Sequence, residues 1–286
     1  MVKTTGTIAF QGEPGANSDT ACRDMYPDME PLPCPTFEEA FAALKDHRAD
    51  LAMIPIENSI AGRVADIHHL LPNSDLHIIG EYFLPIHFQL MAKPGVSFKD
   101  VNTVYSHVHA LGQCRKIIRD NSWKAIVSGD TAGSARMVSE MDDTSCAALA
   151  PRLAASLYNL EILREDVEDE EHNTTRFVIL SREAEIPPAN NGPVITSFVF
   201  QVRNVPSALY KVMGGFATNG INMTKLESYQ IGGAFTATLF YADIEGHPDD
   251  QSVKFALEEM DFFSVHKTIL GVYPASDFRT RNKNDI

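Results

Sequence analysis

Asn173-Thr174-Thr175-Arg176-Phe177-Val178-Ile179-Leu180 is the stretch on which the reading of this chain turns. An amide, two hydroxyls and a guanidinium stand where the acidic run Glu165-Asp166-Val167-Glu168-Asp169-Glu170-Glu171 gives way to an apolar one, so a loop becomes a strand. The strand fixes such groups while the loop end stays open, which suits the holding of a small anion. The same residues also occur by chance beside a β-run, and alone they decide nothing.

Working outward, the chain before this stretch alternates short β-like runs with helical patterns. Thr7–Phe10 is followed by a helix from about Ala16 to Met25. Phe37, Phe41 and Leu44 then share one helix face behind Thr36, which with Glu39 fits a capping box. Leu51–Ile56 reads as a buried strand. A second series follows the apolar stretch Leu76–Met91: strand Thr103–Tyr105, helix Ala110 to about Ile118, strand Ala125–Val127, helix Ala132–Met141 and strand Cys146–Ala150. Alternating β and α elements with short loops predict parallel sheets covered by helices. Two such series predict an α/β domain over residues 1–184 of the two-lobed, periplasmic-binding-protein-like (type II) kind. The chain would cross between lobes near 80–92 and return near 175–182, and the ligand would sit between lobes able to close on a hinge.

Residues 185–193, rich in Pro, Gly and Asn, read as a linker. Beyond it, strand Val194–Val202, helix Pro206–Thr218, strands Ile221–Gln230 and Ala234–Asp243, helix Asp250–Met260 and strand Phe262–Val272 give the order βαββαβ. That order predicts a ferredoxin-like sandwich over 194–275, with a tail at 276–286. So small a domain with an open sheet edge is expected to pair with another copy.

The 286 residues carry a net charge of −14, from 38 acidic and 24 basic side chains. Such a surface argues against nucleic acid or an anionic membrane as partner, and an anionic substrate must be held by locally placed donors. No apolar run approaches the ~20 residues of a membrane span, and the N-terminal residues lack a signal-peptide pattern, so a cytoplasmic location is expected. Cys22, Cys34, Cys114 and Cys146 have no metal or redox spacing and read as structural thiols.

Glu57-Asn58-Ser59 stands at the carboxyl end of a strand, where open α/β sheets collect ligands; a simple helix cap would use the same residues. Ser106-His107 follows the next strand, with Gln113 further on. Neighbours in an extended segment point to opposite faces, so Ser106 and His107 do not make a nucleophile and its base. Ser106 and Gln113 remain hydrogen-bonding candidates, or merely polar loop and helix positions. The histidines show no ligand pattern, so no metal is expected, and no nucleotide-binding motif is present. In the C-terminal part, Asn204-Val205-Pro206-Ser207-Ala208-Leu209 opens a helix whose free N–H groups, with Asn222, suit a carboxylate. Glu227 suits an amine, so a zwitterionic amino acid fits; a capped helix and tight turn fit equally.

Together these pieces resemble the prephenate dehydratase family from about Thr7 to Pro274. The resemblance rests on Ile56-Glu57-Asn58-Ser59, Tyr105-Ser106-His107 with Gln113-Cys114, Asp130-Thr131-Ala132 and Asn173-Thr174-Thr175-Arg176-Phe177, in family order. The C-terminal part is similar to an ACT regulatory domain through Asn204–Leu209 and Leu226-Glu227-Ser228. The resemblance implies a lyase that converts prephenate to phenylpyruvate with loss of water and carbon dioxide, without cofactor, feedback-inhibited by L-phenylalanine. It implies Thr175 as the catalytic residue, and Glu57, Asn58, Ser59, Ser106, Gln113, Asn173, Thr174, Arg176 and Phe177 around the substrate. It further implies Asn204, Ser207, Ala208, Leu209, Asn222, Glu227 and Ser228 around the effector, and a homodimer or homotetramer through the ACT domains. Two departures fall at the effector positions: Ser207 replaces the usual Gly, and Tyr229-Gln230 the usual Arg-Pro. Arg176 is expected to take a substrate carboxylate bidentately and Thr175 to donate to the leaving oxygen. The alternatives are arogenate dehydratase activity and a non-catalytic amino-acid sensor on the same fold.

Overall fold

The computed structural model describes residues 5–64, 67–170, 172–230 and 238–281. The strands are β1 (Gly6–Gln11), β2 (Met29–Cys34), β3 (Leu51–Asn58), β4 (Gly62–Arg63), β5 (His77–Pro85), β6 (Gln89–Ala92), β7 (Thr103–Ser106), β8 (Lys124–Val127), β9 (Cys146–Ala150), β10 (Glu161–Arg164), β11 (Thr174–Ser181), β12 (Val194–Val202), β13 (Met223–Gln230), β14 (Thr238–Glu245) and β15 (Ser264–Pro274). They divide between two compact units, Lys3–Val64 with Tyr82–Phe177, and Met1–Val2 with Ala65–Glu81 and Val178–Ile286. The sequence places the domain boundary at 185–193. Here residues 65–81 and 178–184 instead group with the C-terminal part.

The first unit holds two sheets. In one, β1 lies parallel between β2 and β3, pairing Ile8 with Leu51 and with Pro31. Ile8, Ala9 and Phe10 are completely buried, as expected of an inner parallel strand. β2 carries Pro31 and Pro33 and stands at the sheet edge, where a missing N–H is tolerated. Those prolines hid it from pattern reading. The other sheet runs β10-β6-β9-β7-β8, with β7 parallel to both neighbours and all five residues of β9 buried. Sequence pattern also missed β10 and the helix Arg152–Leu157, which are short.

The chain passes from the first sheet to the second over 86–88, between β5 and β6. The return differs from expectation: 175–182 is already β11, and the chain comes back over 165–173. These two passages are laced together. Ile86 N–H donates to the Asn173 carbonyl at 2.8 Å, Val167 N–H to the Phe88 carbonyl at 2.9 Å, and Phe88 N–H to Glu168 Oε2 at 2.9 Å.

Local chemistry sets the helix ends. Thr36 Oγ1 accepts from Glu39 N–H at 3.2 Å, half of the expected capping box; the Glu39 carboxylate takes Arg48 at 2.8 Å. The helix expected over Ala110–Ile118 is two, Val108–Gln113 and Arg115–Asp120, broken at Cys114. The cause lies far along the chain. Asp169 accepts from Arg115 N–H at 2.9 Å and Lys116 N–H at 3.0 Å, so an aspartate on the return passage restarts the helix.

In the C-terminal unit, β12, helix Ala208–Thr218, β13, β14, helix Gln251–Phe263 and β15 follow the expected βαββαβ order. The strand expected over Ala234–Asp243 is β14, and residues 234–237 lie outside the described residues, as do 282–286 of the tail. Phe198, Phe200, Val212, Phe216, Phe240, Leu257 and Met260 form its core. The sheet order is β13-β14-β12-β15-β5, with Gly271 of β15 opposite Ile78 of β5. A Cβ at Gly271 would lie 2.2 Å from the Ile78 carbonyl oxygen, so this parallel contact requires glycine.

His107 caps the helix that carries Gln113, its Nδ1 accepting from His109 N–H at 3.4 Å, which requires a neutral ring. Burial, then the adjacent His109, push the His107 pKa down against the pull of Asp130. The folded ring therefore resists a proton that the unfolded one accepts, so the stabilisation is intact above the ordinary imidazole range and lost as pH falls through it. Melting curves at pH of about 7.5 and about 5.5 should show the native chain losing more Tm than His107→Asn, a cap that cannot titrate. Equal losses would remove His107 from the pH dependence.

Candidate functional site

The site grows from the carboxyl end of β3, where Asn58 meets the start of β11. Asn58 Oδ1 accepts from the backbone N–H groups of Ile60 (3.0 Å) and Ala61 (2.8 Å), which fixes which end of the amide is which. Its Nδ2 therefore donates, to Asn173 Oδ1 at 2.7 Å and to Thr175 Oγ1 at 2.9 Å. With its Oδ1 engaged, Asn173 turns Nδ2 to Gln113 Oε1 at 2.7 Å. Two backbone N–H groups thus set the polarity of a four-residue chain. Its two ends are donors: the Thr175 hydroxyl, which accepts from Asn58 and directs its own proton elsewhere, and the Gln113 Nε2 amide.

Ser59 fastens the same junction. Its N–H donates to the Thr174 carbonyl, and its Oγ accepts from Thr174 N–H, both at 2.9 Å, while Oγ–H donates to the His172 carbonyl at 2.7 Å. Ser59 and Thr174 are thus joined mainly through backbone groups. Gln113 is held from behind, its carbonyl accepting Asp169 N–H at 2.6 Å.

Arg176 is placed otherwise than expected. Successive strand residues point to opposite faces, so Arg176 with Glu57 lies across the strand pair from Thr175 with Asn58. The guanidinium is buried, donates through Nη1 to Glu57 Oε1 at 2.9 Å and sits 6.0 Å over the Phe83 ring. Its Nη1 is engaged by Glu57. Phe177 is buried in the core. Ser106 is fully buried and its hydroxyl donates to the Leu149 carbonyl at 2.6 Å, binding β7 to β9 without joining the amide chain. Phe83 and Asp169 were missed by sequence reasoning. Nothing local marks them, because each acts on a partner far away in the chain.

A cleft of about 440 Å³ opens beside Gln11, Cys34 and Asp130, at the carboxyl ends of β1 and β2 and before the helix Thr131–Glu140. Asp130 caps that helix, accepting from Gly133 N–H at 2.6 Å. Across the two passages, His87 Nδ1 lies 2.6 Å from Glu168 Oε1 and 3.8 Å from Asp166. These three have the composition of metal ligands, yet Gln89 holds Asp166 and Phe88 N–H holds Glu168, so the group already joins one passage to the other.

Of the seven expected effector residues, Asn204, Ser207, Ala208 and Leu209 line one cavity of about 520 Å³ with Phe240 and Val265. Ser207 stands in the left-handed region (φ 65°), where glycine is favoured. Asn222 is elsewhere, bonded to Glu245 at 3.1 Å, and Glu227 contacts Lys225 at 3.5 Å. Ser228 is opposite Phe240 in the β13–β14 register.

Residues 8–185 match the family model described as Prephenate dehydratase. A "Bifunctional N-acyl-homoserine lactone acylase/prephenate dehydratase" of Komagataeibacter europaeus is 50% identical over 275 residues, 96% of this chain and 98% of its own. "Arogenate dehydratase/prephenate dehydratase 1, chloroplastic" of Arabidopsis thaliana is 37% identical, over 93% of this chain and 71% of its own. Among solved structures, a prephenate dehydratase from Arthrobacter aurescens in complex with L-Phe superposes with a TM-score of 0.86 at 31% identity, covering 95% of this chain and 90% of its own. No described helix is long and apolar enough to cross a membrane. With the polar chain at the β3–β11 junction built from the residues that carry the resemblance, the protein belongs to the prephenate dehydratase family.

Proposed function

We propose that this chain dehydrates and decarboxylates prephenate to phenylpyruvate, with Thr175 as the catalytic residue. The observation that carries the reading is the bond from Asn58 Nδ2 to Thr175 Oγ1 at 2.9 Å. It occupies the threonine oxygen as acceptor and sends the hydroxyl proton outward, toward the oxygen that must leave as water. Prephenate supplies its own driving force, because loss of the ring carboxyl and the opposite hydroxyl makes the ring aromatic. The protein has to orient the dianion and hold an aligned donor on the hydroxyl, which leaves as water with one proton drawn from solvent while the ring carboxyl leaves as carbon dioxide. Gln113 Nε2 offers a second donor on the same chain. Arg176 acts through Glu57, holding β11 against β3 so that Thr175 keeps its place.

The second substrate reading rests on the arogenate dehydratase relatives: arogenate carries an amino group where prephenate has a keto oxygen. A further activity is suggested by the K. europaeus relative, whose name includes an N-acyl-homoserine lactone acylase. The C-terminal unit reads as an ACT-type regulatory domain that takes L-phenylalanine at the cavity beside Ser207. Exposed Tyr210, Phe255, Phe262 and Val265 support its pairing with a second copy, which would supply the effector residues lying outside the cavity. The four free, buried cysteines fit a cytoplasmic protein.

Incubation with prephenate and with arogenate, followed as phenylpyruvate or phenylalanine formed, tests the assignment. The native chain should turn over prephenate, and Thr175→Ala should lower kcat by roughly 10²–10³ with its circular dichroism unchanged. Inactivity on both substrates would leave the sensor reading standing. Release of free homoserine lactone from an N-acyl derivative tests the acylase reading, and is expected only if 50% identity extends to that activity; none would confine the chain to lyase chemistry. L-phenylalanine should inhibit, and Ala208→Trp, which fills the cavity, should weaken inhibition at least about tenfold. Inhibition untouched by that change would place the effector elsewhere. Truncation at 194 is a poorer probe, since it strips β15 from β5.

A further inference from the structure

Ala110–Ile118 carries an unbroken helical pattern, yet the helix stops at Cys114, and one side chain of the return passage accounts for the stop. Three backbone bonds would carry a helix across this point: Arg115 N–H to the Leu111 carbonyl, Lys116 N–H to Gly112 and Ile117 N–H to Gln113. Each carbonyl has another donor. Leu111 takes Cys114 N–H at 3.4 Å, Gly112 takes Arg115 Nε at 2.7 Å, and Gln113 takes Asp169 N–H at 2.6 Å. The Arg115 and Lys116 N–H groups go instead to the Asp169 carboxylate, at 2.9 Å on Oδ2 and 3.0 Å on Oδ1. Asp169 therefore makes three of the bonds that keep the two helices apart, two as acceptor and one as donor.

The break decides how Gln113 is held, because Gln113 is the last residue of its helix. Its carbonyl is on Asp169 and its side-chain Oε1 on Asn173 Nδ2 at 2.7 Å, so one short segment grips the residue at both ends. Nε2 is left as the donor at that end of the amide chain. If the helix ran on, Ile117 N–H would claim the Gln113 carbonyl and draw the residue away from Asn173. Asp169 is exposed, so replacing it removes these bonds without opening a cavity. By sequence it reads as one more solvated charge in an acidic run.

We propose that Asp169 is a positioning residue for the reaction: by holding the N–H groups of Arg115 and Lys116, its carboxylate keeps the helix broken and the Gln113 amide in place at the substrate. The proposal rests on the prephenate reading, in which Gln113 Nε2 meets the substrate while Asp169 touches neither substrate nor reacting atoms. Small displacements of an aligned group, imposed from a distance, are costly to a reaction that depends on orientation.

Steady-state kinetics of the full chain with prephenate test it. Asp169→Ala should lower kcat/KM at least about tenfold, and Asp169→Asn, which keeps one acceptor oxygen, should recover most of that loss. In a Gln113→Ala background, Asp169→Ala should cost less than about twofold, because the residue it positions is gone. Native kinetics in Asp169→Ala, or equal losses with and without Gln113, would overturn the proposal. A readout without turnover separates its failure from that of the prephenate reading. In nitrogen–proton NMR spectra the Gln113 side-chain amide should shift in Asp169→Ala and return toward its native position in Asp169→Asn. That result in a chain inactive on prephenate would uphold the positioning and discard the substrate; an amide unmoved in Asp169→Ala would overturn the positioning itself.

Discussion

One side-chain amide governs the polar architecture of the first unit. Asn58 Oδ1 is held by the N–H groups of Ile60 and Ala61, and every later choice of donor and acceptor, through Asn173 to Gln113 and through Thr175, follows from that pin. An amide free to flip would exchange the ends of the chain and turn the threonine into a donor toward Asn58. A half-buried chain of this kind gains from its own consistency, since each bond polarises the next, and one reversed member leaves a group unpaired.

The same junction explains the separation of labour along β11. Thr175 works on one face with Asn58, while Arg176 works on the other with Glu57 and Phe83. The guanidinium is buried while the Glu57 side chain is 31% exposed, so the pair contributes little net stability, but removing Glu57 strands the buried charge. Its value here is positional. It joins β11 to β3 on the face opposite Thr175 and Asn58.

Much of this was legible in the chain because the informative residues cluster at strand ends. Glu57-Asn58-Ser59 and Asn173–Arg176 announce themselves by polar groups abutting apolar runs, and βαββαβ order follows from spacing. What escaped did so for physical reasons. The face taken by Arg176 depends on which strand lies beside β11, which spacing does not state. Pro31 and Pro33 disguised β2, tolerable only because it is an edge. The break at Cys114 comes from Asp169, and the grouping of 65–81 with the C-terminal unit from the approach of β15 to Ile78 over Gly271. All three are partnerships between distant segments.

The return passage 165–173 has a consequence for how this family can vary. Within one short segment, Glu168 ties to the outward passage, Asp169 restarts a helix and holds Gln113, and Asn173 completes the amide chain. Surface loops ordinarily absorb insertions at small entropic cost. This one is a ruler: its length sets the spacing between two sheets and two donors at once. Natural sequences on this fold should keep its residue count and the groups that bond at 168, 169 and 173, while the exposed positions around them vary.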